Sequence, residues 1–399
     1  MTPPNSTPAA VAPSPAAAPR FADDLAFLTQ HGPVHVLEAP GGGRVALSAK
    51  YQGRVMTSAV DPSGRSFGWV HRAFIASGKT ATPFDNYGGE DRFWLGPEGG
   101  QFALYFPPGK PFAFDDWQVP AALQEGAWEL AEASTSRAVF RHAMKLTNWS
   151  GTAFSVDVER TIELVGNDAA RTVLGFDAAG VPGVKSVAFE SRNKITNSGT
   201  SAWKRETGLP SVWILAMYAP AADGHVVIPF VPGSVAEKGP IVNDAYFGKV
   251  PADRLTVHED RGFLTFRSDG TYRSKIGLGP ARARPVLGSY SAGAKLLTIV
   301  SYDVPAPRKS PPPYVNSMWE QQKEPYGGDV VNSYNDGAPA PGKPPLGGFY
   351  ELETSSPAAE LSPGQSLTHT HRTFHFVGEA SALEPIAKAV LGVSLSEIK

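Results

Sequence analysis

The sequence predicts an all-β fold, a large antiparallel β-sandwich with a short helix near each end. Three observations carry that prediction. Apolar and polar residues alternate with period 2 in segment after segment, as half-buried strands require. Helical periodicity is confined to two stretches. No strand–helix–strand rhythm links the segments, so facing sheets must bury them without crossover helices.

The chain opens on TPPNSTPAAVAPSPAAAP at 2–19, a tract of Pro, Ala and Ser with nothing to bury. It reads as an extended tether over residues 1–20, leaving 21–399 as one β-domain. The tract lacks the basic start and apolar middle of a signal peptide. Tethers like it commonly follow a removed export signal, so the expectation is an exported protein. Phe21, Leu25 and Leu28 then share one face of FADDLAFLTQH, with acids in the first turn and Gly32 beyond the last, which predicts a helix over 21–31.

Strands are expected over 34–38, 44–49 and 53–60, a meander broken by glycine-rich turns. Ala138, Phe140, Met144 and Leu146 alternate with basic residues over 137–147. Phe154, Val156, Val158, Ile162 and Leu164 do the same over 154–165, with a hairpin loop at 148–152 and a third strand at 171–177. Further strands are expected at 186–196, 211–219, 225–231, 262–268, 295–302, 347–354 and 366–377. A final helix spans about 380–391, with Pro385 tolerated in its first turn.

Composition narrows the function. Lys and Arg total 36 against 38 Asp and Glu, with no basic run, which argues against a nucleic-acid partner. No apolar stretch approaches the roughly 18–20 residues of a membrane span. The absence of cysteine excludes disulfides and thiolate chemistry. A small, uncharged ligand is the partner left standing, and no cofactor is called for.

Two loop-rich stretches, 78–120 and 303–346, interrupt the strands, and long ordered loops usually serve function. In the first, NYGGEDRFWLGPEGG (86–100) gathers Asn86, Glu90, Asp91, Arg92, Trp94 and Glu98 between glycine pairs. An aromatic plate with acids and Arg at its rim suits a sugar, which presents C–H faces and a belt of hydroxyls. In the second, Trp319 and Tyr334 are the more informative members of a polar, aromatic loop.

Two strands add titratable groups. In GGFYELE (347–353), Glu351 and Glu353 share a face with Phe349, and burial of a strand-borne carboxyl raises its pKa toward a working range. In SLTHTHRTFHFV (366–377), alternation puts His369, His371 and His375 on one face and Arg372 on the other. No carboxylate or Cys completes a metal pattern there, so no metal is expected.

GGEDRFWLGPEGG paired with the later FYELETSSPAAELSPGQSLTHTHRTFHF resembles the galactose mutarotase-like superfamily, through Gly89, Arg92, Trp94, Pro97, Glu98, Glu351, Leu361, Pro363 and Gly364. More closely, the chain after the tether is similar to a bacterial, often exported domain family of unknown function in that superfamily. The resemblance implies a β-supersandwich and a carbohydrate ligand. The mutarotase's His-Gly-Gly and later His-Pro signatures are not present, and Glu90-Asp91 stands near where a His is expected.

The expectation is therefore a carbohydrate-active enzyme working on a neutral sugar by carboxylate/His acid–base chemistry, of hydrolase or epimerase type. Glu351 or Glu90 would carry one proton and His371 or His369 the other. Arg92, Trp94, Trp319, Asn86, Asp91, Glu98, Tyr334 and Arg372 would bind substrate. The alternatives are a glycan-binding protein without turnover and a polysaccharide lyase. A uronate lyase calls for more basic residues than Arg92 and Arg372.

Overall fold

The computed structural model describes residues 19–305 and 312–398. The Pro/Ala-rich tract at 1–18 lies outside the described residues. The first described residues already join the fold: Ser66 N–H donates to the Pro19 carbonyl at 2.9 Å, and Arg20 bridges to Arg65. Helices form at Phe21–His31 and Ala380–Leu391, both where periodicity places them.

Among the described residues, eighteen strands form in chain order. β1 (His35–Glu38), β2 (Arg44–Ser48) and β3 (Arg54–Ala59) make a three-stranded meander. Next come β4 (Arg92–Gly96), β5 (Glu129–Ala133), β6 (Arg137–Thr147), β7 (Ala153–Leu164), β8 (Lys185–Asn197), β9 (Ser211–Tyr218) and β10 (His225–Pro229). The rest are β11 (Leu255–His258), β12 (Phe263–Arg267), β13 (Ser274–Leu278), β14 (Val286–Ser291), β15 (Leu296–Tyr302), β16 (Val331–Asn335), β17 (Tyr350–Ser355) and β18 (Ser366–Val377).

The largest sheet has ten strands in the order β11-β12-β10-β14-β15-β18-β8-β7-β6-β5. A five-stranded sheet, β13-β16-β17-β9-β4, faces it, and neighbours within both sheets run antiparallel. Alternation supplies the core between them. Phe93, Leu95, Val212 and Ile214 from the smaller sheet share one cluster with Phe140, Val158, Phe189 and Ile195 from the larger. A fully buried side chain of this size contributes roughly 1.5–3 kcal/mol. On the outer face of the large sheet, Phe374 and Phe376 of β18 pack with Leu383, Ile386 and Leu391 of the last helix. Among the described residues no helix is long and apolar enough to cross a membrane.

Two sequence expectations change. The stretch 171–177 is not a strand; Asn167–Leu174 is a helix, with Asp168 in its first turn and left-handed Gly175 ending it. Those are helix start and stop signals, and they outweigh the short apolar pair Val173-Leu174. The loops at 78–120 and 303–346 also hold strands of their own, β4 and β16. Every residue of both is buried, so neither shows the alternation that marks a half-exposed strand.

Candidate functional site

The face of the five-stranded sheet turned away from the core floors a cleft of about 340 Å³. Alternation decides which side chains reach it. β4 presents Arg92 and Trp94, β9 presents Trp213, Leu215 and Met217, β17 presents Glu351, β16 presents Tyr334, and β13 presents Lys275. Register sets them in rows: Lys275, Tyr334, Glu351 and Met217 stand abreast, with Asn332, Glu353, Leu215 and Arg92 in the next row.

Loops raise the walls. Trp117 stacks with Phe114, Tyr105 and Trp319 at centroid distances of 6.1–6.2 Å. Phe114 and Leu346 at the mouth remain 48% and 42% exposed. The 344–349 loop is pinned from below: Asp336 accepts from the backbone N–H groups of Gly347 and Gly348 at 2.8 Å each and from the Tyr334 hydroxyl at 2.8 Å. Asn86 holds the same loop by donating to the Leu346 carbonyl at 3.1 Å.

The Gly88-Gly89 turn delivers the chain into β4. Both glycines have positive φ, and a Cβ on Gly88 would meet the Trp69 carbonyl oxygen at 2.1 Å. Gly88→Ala is expected to lower stability by at least about 1–3 kcal/mol, read as a shifted denaturation midpoint, because left-handed strain and a backbone clash add.

The floor's charges are paired. Arg92 Nη2 lies 2.9 Å from Glu351 Oε1, and its guanidinium sits 4.0 Å over the Trp94 ring. Lys275 Nζ lies 3.0 Å from Glu353 Oε2, which also accepts from the Trp213 indole at 2.8 Å. Burial pushes the Glu351 carboxyl up to about 8; Arg92 opposes this, while Glu353 adds to it. Burial also raises Glu98, against the pull of Lys275. Burial opposes the charge on Lys275, yet Glu353 and Glu98 hold its pKa above the ordinary value.

Of the residues singled out in the sequence, Asn86, Arg92, Trp94, Glu98, Trp319, Tyr334 and Glu351 come together in this cleft. Glu90, Asp91, His369, His371 and Arg372 do not. The face carrying His369, His371 and His375 points into the sandwich, as alternation predicts, but the five-stranded sheet stands between it and the cleft. Thr354, on the face of β17 opposite Glu351, bonds His369 Nε2 at 2.8 Å and His371 Nδ1 at 2.9 Å. Burial lowers His369 to about 3, with His371 adding to the effect, and lowers His371 to about 4.

Glu90 sits in the same interior layer, 2.6 Å from His375 Nε2 and 2.6 Å from Ser58 Oγ. Asp91 pairs with Arg160 there, both fully buried. Arg372 lies on the other side of β18, bonded to Glu190 at 2.9 Å and Asp303 at 2.7 Å. The acid/histidine pairing expected from the sequence is therefore not assembled in the cleft.

The sequence reading missed Lys275, Arg273, Trp213 and Trp117. Trp213, Leu215 and Met217 alternate within an expected strand, so their common face was readable, though which face met the cleft was not. β13 is too short and too fully buried to announce itself, and Lys275 went unseen with it.

Solved structures follow similar chain paths at low identity. A galactose mutarotase related enzyme from Lactobacillus acidophilus is 11% identical, with 87% of this chain and 97% of that one covered and a TM-score of 0.43. A galactose mutarotase-like protein from Lactobacillus casei ATCC 334 is 10% identical over 86% and 100% of the two chains, with a TM-score of 0.44. A protein of Synechocystis sp. PCC 6803 is 12% identical over 87% and 96%, with a TM-score of 0.48. These likenesses are of fold alone. No curated protein matches the sequence. A family model does match, over residues 19–399, and on that ground the chain belongs to a family of unknown function, DUF6786.

Proposed function

We propose that the cleft binds a saccharide and moves a proton to or from it, with Glu351 as the proton carrier. The observation that supports this reading is one carboxyl, Glu351, on the floor of an aromatic-walled cleft and raised by burial to about 8. A group with such a pKa is an acid at neutral pH that still gives up its proton, as proton transfer in hydrolysis or epimerisation demands. Arg92 orients it through the 2.9 Å bond and stabilises the carboxylate left behind. Trp117 and Trp319 supply the flat apolar surface for the C–H faces of the sugar. Glu98 is the second carboxyl on the lining and the candidate partner for the return proton. The acid–base pair is thus two carboxyls rather than a carboxyl and a histidine.

The test is a panel of oligosaccharides scored for products and for thermal shift, with wild type and Glu351→Gln side by side. Turnover lost in the variant with binding retained supports the proposal. Binding without turnover in the wild type overturns the enzyme and leaves a glycan-binding protein.

A further inference from the structure

Three cations line the cleft, and two of them have an acidic partner. Arg92 pairs with Glu351 and Lys275 with Glu353. Arg273, the third cation of the lining, has no ion pair and no side-chain hydrogen bond among the described residues; it lies 3.7 Å over the Phe247 ring at the cleft. An aromatic shelf holds a guanidinium in place without using its donors, which leaves them free for a ligand.

The buried polar atoms tell the same story. Among the lining residues, those without a protein partner are Arg92 Nε and Nη1, Trp94 Nε1, Trp117 Nε1 and Asn86 Oδ1. Four of the five are donors. A sugar hydroxyl both gives and accepts, whereas a carboxylate only accepts, so a donor-rich cleft fits an acceptor-rich ligand. The sequence argued for a neutral sugar by counting Arg92 and Arg372 as the basic residues. The fold removes Arg372 from the cleft and brings in Arg273 and Lys275, which reverses that count.

We propose that the ligand is an acidic oligosaccharide, with the carboxylate of a uronate residue seated on Arg273. This deepens the saccharide reading above and rests on it. Arg92 opens one edge strand and Arg273 precedes the other, four interstrand spacings across the sheet and four residues along it, or about 23 Å apart in the backbone. The carboxylate at Arg273 therefore belongs to a different part of the ligand from the oxygens met by Arg92, which is why an oligosaccharide is inferred. Burial drives Glu98, the one carboxyl of the lining without an ion pair, toward its neutral form, which lowers its repulsion of an acidic ligand.

The experiment is calorimetric titration of the full chain with oligogalacturonides, with the neutral oligosaccharides made from them by carboxyl reduction, and with a sulfated galactan oligosaccharide. Wild type is expected to hold the uronate form about tenfold or more tighter than its reduced counterpart, the scale of one charge-assisted contact. Arg273→Gln is expected to erase that difference, and Arg273→Lys to keep part of it. Equal binding of the two forms by wild type, or a preference that survives in Arg273→Gln, overturns the uronate seat and leaves the saccharide reading intact. Tighter binding of the sulfated sugar than of the uronate overturns the carboxylate assignment. No response of the wild type to any of the three sugars overturns the saccharide reading instead.

Discussion

Glu351→Gln is expected to lower turnover on the saccharide substrate by about 10²–10⁴-fold, the usual contribution of a positioned proton carrier. Glutamine keeps the shape of the side chain and an acceptor oxygen for Arg92, so the cleft and its binding of sugar should persist. The same substitution reads out in stability. The fold favours the neutral form of Glu351, whose pKa rises from an ordinary 4.5 to about 8. Its contribution is therefore fully present below about pH 4.5, where it is protonated folded and unfolded alike. It is lost progressively as pH rises toward 8, with a slope of at most ~1.4 kcal/mol per unit. Denaturation of Glu351→Gln across that window should give a flatter profile than wild type. An unchanged slope would show that the carboxyl is not held in its acid form, and unchanged turnover would remove it from the chemistry.

Asp91→Ala is expected to cost about 3–5 kcal/mol of folding stability with no specific defect in the cleft. Asp91 and Arg160 are each 0% exposed and form an ion pair inside the sandwich. Removing one partner strands the other's charge in a low-dielectric interior, which costs more than the pair itself is worth. Arg160 is also bonded to the Gly53 carbonyl at 2.9 Å and to Asn193 at 2.6 Å, so β7, β8 and the turn before β3 share the damage. Urea titration gives the loss. A change below about 1 kcal/mol would mean that the pair is not a structural brace. Arg160→Met in the Asp91→Ala background should recover part of the loss, since replacing both charges by apolar atoms removes the stranded ion.

These two variants mark where the sequence was readable and where it was not. The helices at 21–31 and 380–391 could be placed from periodicity because one face of each meets the core, and the strand at 366–377 because its row of His369, His371, Thr373 and His375 alternates with Arg372, Phe374 and Phe376. Strands buried on both faces, β4 and β16, carry no such rhythm and read as loop. At the site, the motif residues Arg92, Trp94, Glu98 and Glu351 were visible because acids and aromatics crowd between glycines or alternate on a strand. The histidines misled for a definite reason. Alternation told correctly that His369, His371 and His375 share a face, but it cannot tell which of two apolar-lined spaces that face opens onto. Only the register of β17, with Glu351 on one side and Thr354 on the other, separates the cleft from the interior. Nor does any local pattern reveal that Arg273 and Lys275, far in sequence from Arg92, Trp94 and Glu351, line the same cleft, or that Arg273 has no ion pair among the described residues.

The order of strands carries a consequence for biosynthesis. β18 holds the centre of the ten-stranded sheet, hydrogen-bonded to β15 on one side and β8 on the other. It also follows every other strand of that sheet in the sequence. On the ribosome, the β5–β8 block and the β10–β15 block must each wait with an open, unpaired edge until residues 366–377 emerge to join them. Such edges invite pairing with other chains. The polar row His369, His371, Thr373 and His375 keeps the strand that finally fills the gap from being a uniformly greasy ribbon during that wait. It then finds matched partners, Thr354, Thr298 and Glu90, only once all three parts of the molecule have met.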